Sequence, residues 1–115
     1  MRNWDEFSST MAKALKFPAY YGQNWDAYDE VMRDLSWLEL SELIIVIFNA
    51  EKLLRERVRD RTIFQSGVEM YGEYWNDPAA EEDWPELAPK PMPFHVILFS
   101  ATPLSGYNAP LYQDN

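Results

Sequence analysis

Asp26, Asp29 and Glu30 sit close together in FPAYYGQNWDAYDE, residues 17–30. Carboxylates at such spacing can act as the acid and base of a hydrolase, offer negative charge to an incoming cation, or simply keep a helix face wet. A glycosidase pair must face each other across a cleft, whereas Asp26 and Glu30 fall one helical turn apart on a single convex surface. On a helical projection Trp25, Tyr28, Val31, Met32 and Leu35 share the apolar face, and Asp26, Asp29, Glu30 and Arg33 share the opposite one. Asp26 gains from the positive helix end. Asp29 and Glu30 lie beyond the first turn with Arg33 as their one nearby cation. Self-repulsion there is tolerated most easily where a cation is meant to arrive. A solvated face with no further role is the competing reading.

Other chemistry is thinly supplied. The chain has no cysteine and one histidine, His95, so a thiol nucleophile, a zinc finger and a His-rich metal site are unavailable. His95 stands in an apolar run and is expected as a hydrogen-bonded core residue rather than a base. No Gly-rich phosphate loop is present. The sequence predicts a protein without a catalytic constellation, without a cofactor and without a metal.

Charge narrows the partner. Nineteen acids against ten bases give −9 over 115 residues. Five bases, Lys52, Arg55, Arg57, Arg59 and Arg61, cluster at 52–61 together with Glu56 and Asp60. They lack interleaved aromatic residues, so a nucleic-acid patch is not expected there. A chain this acidic repels nucleic acid and anionic membrane, and its field speeds encounter with a basic partner. The 47% hydrophobic and 16% aromatic content suits a single folded domain with one core. No apolar run reaches membrane-spanning length. With no leader pattern at Met1 and no cysteine, a cytoplasmic location is expected.

The elements that must hold these residues follow from periodicity and punctuation. Asn3 caps a helix over 4–16 with Trp4, Phe7, Met11, Ala14 and Leu15 inward, and Pro18 stops it at Phe17. Asn24 caps a second helix to about Leu35. LIIVIF, 43–48, reads as a strand covered on both faces. Asn49 is expected to cap a third helix with Leu53, Leu54 and Val58 inward. A further helix carries Ile63, Phe64, Val68, Met70, Tyr71, Tyr74 and Trp75. Residues 78–93 hold five of the eight prolines and read as an irregular, solvated acidic loop. FHVILF, 94–99, is a second apolar strand. Two such strands joined by helices imply α/β architecture, a short parallel sheet of two to three strands with about four helices. The domain is expected to span 1–100, with a tail at 101–115.

Pro18, Tyr20-Tyr21-Gly22, Asn24, Asp26-Ala27 and Glu30, followed by RDLSWL, closely resemble the signature of barstar-family ribonuclease inhibitors, and the order of elements over about 4–100 matches as well. The resemblance implies a non-catalytic inhibitor or antitoxin that plugs the active site of a small basic ribonuclease. Tyr20 would lay an aromatic face over that site, and Gly22 and Asn24 would shape the contacting loop, with Trp25 beside it. Asp26 would meet an arginine or lysine that otherwise holds substrate phosphate. Glu30 stands where the family usually has an aspartate in the place of the scissile phosphate. Asp29 and Arg33 share that face, and Glu73 matches a later acid that adds a charge pair. Two features depart from the pattern. Met1-Arg2 alone precede the first cap, where the family begins with a strand, so a third strand is expected from the tail or another chain. Glu30 is also one methylene longer than aspartate, which points to a different ribonuclease. The free chain is expected as a monomer or a homodimer. An immunity or regulatory protein of the same fold with a non-ribonuclease partner, and a carboxylate hydrolase, are the alternatives.

Overall fold

In the computed structural model, residues 1–104 and the backbone of Leu111–Gln113 are described. The first helix, α1 (Trp4–Ala14), starts at Asn3, whose side chain accepts from the Glu6 N–H, and Lys13 sits in its last turn. Lys16 adopts a left-handed conformation (φ 54), which lets the Phe17 N–H close back onto the Ala12 carbonyl in the manner of a Schellman cap. Helix α2 (Trp25–Met32) starts at Asn24, whose side chain accepts from the Ala27 N–H. Strand β1 (Leu43–Ile47) pairs in parallel with β2 (Phe94–Ser100), and β3 (Leu111–Gln113) lies parallel on the other side of β2. Between β1 and β2 runs the long helix α3 (Val58–Asn76).

The helix count differs from expectation: the described residues hold three α-helices, and the one expected after Asn49 is a single 3-10 turn, Ala50–Lys52. Asn49 is left-handed (φ 57) and makes no side-chain cap bond. Leu53 and Leu54 are adjacent and both fully buried, which a helical stripe does not provide. The chain meets this by becoming extended at Leu53 and left-handed at Leu54. Arg61 fixes the turn by donating to the Leu53 and Glu51 carbonyls. Val58, expected inward, is 81% exposed at the start of α3.

Among the described residues, the helices cover one face of the sheet. In the register Leu43↔Phe94, Ile45↔Val96 and Ile47↔Leu98, these side chains join the core with Phe7, Met11 and Leu15 of α1, Tyr28 and Met32 of α2, and Phe64, Tyr71 and Trp75 of α3. The alternate positions, Ile44↔His95 and Val46↔Ile97, face away. Ile44 and Val46 are exposed, which corrects the expectation that LIIVIF is covered on both faces. His95 is exposed too, not a core histidine, because its parity in β2 puts it on the open side.

Four of the five tryptophans tie segments together through the indole N–H. Trp4 donates to the Gln23 carbonyl, Trp25 to Asp60, Trp37 to the Leu15 carbonyl at the end of α1, and Trp75 to the Met32 carbonyl at the end of α2. A large apolar body with one donor suits a helix end, where carbonyls lack partners. Before α1, Met1 and Arg2 accept from the Leu54 and Glu56 N–H groups, and no strand precedes α1 among the described residues. Leu104 packs on the core, while packing of the Leu111 and Tyr112 side chains lies outside the described residues.

Burial raises the phenol pKa of Tyr28 and Tyr71, and pushes Tyr74 up to about 12 together with the hydrogen bond it donates to Glu82. Each phenol therefore holds its proton more tightly folded than unfolded. Stability from this source is fully present below about pH 10, the unfolded tyrosine value, and is lost as pH rises through the folded values. Alkaline titration followed by tyrosinate absorbance should show these phenols ionising only together with unfolding. Ionisation of every tyrosine near pH 10 (about its ordinary value) with the fold intact would contradict the burial.

Candidate protein-binding site

The tyrosine pair divides its work. Tyr21 is an anchor: its hydroxyl meets Ser8 Oγ at 2.7 Å, and its ring packs edge-on against Phe17 at 4.8 Å. Burial raises its pKa, partly offset by the Ser8 hydrogen bond. Tyr20, one residue earlier, is 70% exposed. The loop turns into α2 through Gln23, left-handed at φ 58, with its carbonyl held by Trp4. Gly22 is exposed, and an added Cβ would meet Ala27 Cβ at 3.4 Å, an ordinary contact. Its backbone is not left-handed, so the fold itself does not demand glycine here. Bare backbone at that point permits close approach from outside.

On α2 the acids separate in the same way. Asp29 is part of the domain: it accepts from Arg33 one turn later, and its charge helps to raise the pKa of the Tyr71 phenol on α3. The Arg33 guanidinium lies 6.0 Å from the Tyr74 ring centre. Burial alone would lower the Arg33 pKa, but the hydrogen bond and charge of Asp29 outweigh it and raise it. Asp26 and Glu30 are exposed, and among the described residues no ion pair or hydrogen bond engages either carboxylate. Asn24 is exposed at the cap, and Trp25 is half-buried. The Trp25 ring packs at a tilt, 4.5 Å from Trp4 and 5.6 Å from Phe7, so it belongs to the aromatic core more than to the loop. Glu73 is exposed on α3 between Tyr71 and Tyr74, the two residues that contact the Asp29–Arg33 pair.

The family model for barstar, the barnase inhibitor, matches residues 1–98. The chain belongs to the barstar family. That family is one of inhibitors rather than enzymes, and the mixed α/β architecture agrees with it. Comparison with curated proteins and with solved structures gives no match. Among the described residues no helix is long and apolar enough to cross a membrane.

The sequence reading missed what supports α2 from below. Asp60, on α3, is 6% exposed and receives the Trp25 indole N–H at 3.0 Å. An acid in the first turn of a helix that follows basic residues gives no sign that it is buried. Trp25→Phe keeps the ring contacts but leaves this buried carboxylate without its indole donor. The expected cost is about 1–3 kcal/mol of stability, read from urea unfolding. A variant as stable as the parent would show that the bond contributes nothing.

Proposed function

We propose that this barstar-family chain inhibits a basic ribonuclease by occupying its phosphate-binding site with Asp26 and Glu30, framed by Tyr20, Gly22 and Asn24. The observation that carries the reading is the division on α2. Asp29 is neutralised within the domain, whereas Asp26 and Glu30, one turn apart, are left exposed without an internal cation. A ribonuclease must present cationic groups to hold substrate phosphates, and two fixed carboxylates can replace those phosphates. Exposed Tyr20 and the bare backbone of Gly22 give the partner an apolar plate and a point of close approach beside the charges. Asp29, Arg33 and Trp25 act here by holding α2 in place. Glu73 supplies a further charge on the neighbouring helix. The chain works in the cytoplasm, as an antitoxin or immunity protein, and takes part in no chemical step itself.

The test is capture followed by assay. Immobilised protein, exposed to extract and eluted with rising salt, is expected to release a small basic ribonuclease whose RNA cleavage stops when the free chain is added back. A salt-eluted partner without nuclease activity would overturn the ribonuclease reading. With the partner in hand, the association rate should fall steeply as salt rises, while dissociation changes less, because screening acts on the long-range encounter. A salt-independent association rate would count against capture by the acidic face.

A further inference from the structure

We propose that α1 presets the partner-binding loop: Ser8 and Trp4 are positioning residues that fix Tyr20 and Gly22 before the partner arrives. The inference rests on the reading of residues 20–24 as partner contact. Ser8 is a buried polar residue of α1, 4% exposed, where the other buried positions are Phe7 and Met11. Alanine would serve the helix better, since serine is the weaker helix former, and a buried hydroxyl needs a hydrogen-bond partner. That partner is on the loop: Ser8 Oγ lies 2.7 Å from the Tyr21 hydroxyl. Trp4, four positions earlier, donates its indole N–H to the Gln23 carbonyl at 3.1 Å. Residues four apart share one face of a helix. A single stripe of α1 therefore holds the loop on both sides of Gly22.

Packing alone does not hold the loop in this place. A cleft of about 570 Å³ opens between the stripe of α1 and residues Tyr21 and Gln23. Tyr20, Gly22 and Gln23 are exposed, and the Tyr21 ring on Phe17 is the one aromatic contact the loop makes among the described residues. Gln23 is left-handed at φ 58, a conformation that a residue with a side chain keeps only where its surroundings hold it. The Trp4 bond to its carbonyl is such a hold. With Tyr21 and Gln23 both tied to α1, Gly22 between them gives up the freedom that a glycine otherwise brings to a loop. Tyr20 likewise starts from a fixed neighbour. A loop ordered in advance loses less conformational entropy on binding, and the saving appears as affinity. The acids of α2 are held separately, by the Asn24 cap and the core beneath.

In the free full-length chain, backbone NMR order parameters over residues 20–23 should stand near the rigid value of about 0.85, and fall towards about 0.6 in Ser8→Ala and in Trp4→Phe. Ser8→Ala should keep close to the parental melting profile: alanine favours the helix, and the Tyr21 hydroxyl borders the cleft, where water can replace its lost partner. With the ribonuclease released by salt in the capture experiment as the probe, Ser8→Ala should weaken binding about three- to tenfold. In double-mutant cycles that loss should couple to Tyr20→Ala and add independently to Asp26→Ala. A general loosening of the domain would not distinguish the two, so equal coupling to both would overturn the proposal. So would order parameters unchanged in both variants, or parental affinity in both. Parental affinity in Asp26→Ala and Glu30→Ala beside a loss in Ser8→Ala would overturn the acidic-face reading alone and support the role of α1.

Discussion

Replacing Asp26 or Glu30 with alanine is expected to cost the ribonuclease complex about 2–5 kcal/mol, roughly 30- to several-thousand-fold in affinity, mostly through faster dissociation. The barnase–barstar pair is among the complexes from which such magnitudes are drawn. The loss arises on the partner's side: a cation desolvated in the interface and left without its carboxylate costs far more than the contact itself contributes. The free chain should hardly notice. Both carboxylates are exposed and unengaged among the described residues, and surface substitutions of that kind stay within about 0.5 kcal/mol. For a chain of this length that is a melting shift of about 2 °C. Asp29→Ala is the internal contrast. It removes the acceptor and ion-pair partner of Arg33, so it should lower the melting temperature, and affect binding only as far as α2 loosens. If Asp26→Ala and Glu30→Ala both inhibit the cognate enzyme at parental affinity, the acidic face is not the site, and these acids merely keep a helix wet.

The contrast between Asp29 and its neighbours marks the limit of what the sequence makes legible. Helical projection puts Asp26, Asp29, Glu30 and Arg33 on one polar face, and that assignment needs only local geometry. Which of the acids takes Arg33 depends also on what packs beside the guanidinium, Tyr74, more than forty positions along the chain, and on the angle at which α3 crosses α2. Neither has a local signal. The two caps at Asn3 and Asn24 are legible for the converse reason: an N-cap is a contact across three residues, complete within the segment. The 3-10 turn at Ala50–Lys52 replaces an expected helix because two adjacent leucines both find room in the core, and burial overrides periodicity. The error at His95 is similar in kind. A continuous apolar run gives strand without saying which faces are covered, and only the placement of all three helices on one side of the sheet decides it.

Phe7→Ala should give the largest loss of stability, about 3–5 kcal/mol. Phe7 is fully buried, and its ring meets Trp4 at 6.0 Å, Trp25 at 5.6 Å, Tyr28 at 5.3 Å and Phe64 at 5.5 Å. Like Tyr28, it contacts rings from all three helices, and its removal opens a cavity where they meet. Large planar neighbours collapse poorly into such a space, because each is already held elsewhere: Trp4 by Gln23, Trp25 by Asp60, and Tyr28 against Tyr71. A chain of this size carries an unfolding entropy that converts the loss to roughly 12–20 °C of melting temperature. Total stability for such a domain is about 6–17 kcal/mol, so the variant should remain folded at room temperature unless the parent sits at the bottom of that range. Its effect on inhibition then separates two roles for the core. Trp25 and Tyr28, the apolar side of α2, rest on Phe7, so Asp26 and Glu30 are presented by a helix whose seat has been hollowed. Inhibition that weakens in the folded variant, although no carboxylate has changed, would mean that the spacing of the two charges depends on this aromatic seat. Full affinity with the lower melting temperature would mean that the Asn24 cap and the Trp75 bond to the Met32 carbonyl suffice to hold α2. A melting shift under about 4 °C, equivalent to less than 1 kcal/mol, would show that Phe7 is not the centre of the core.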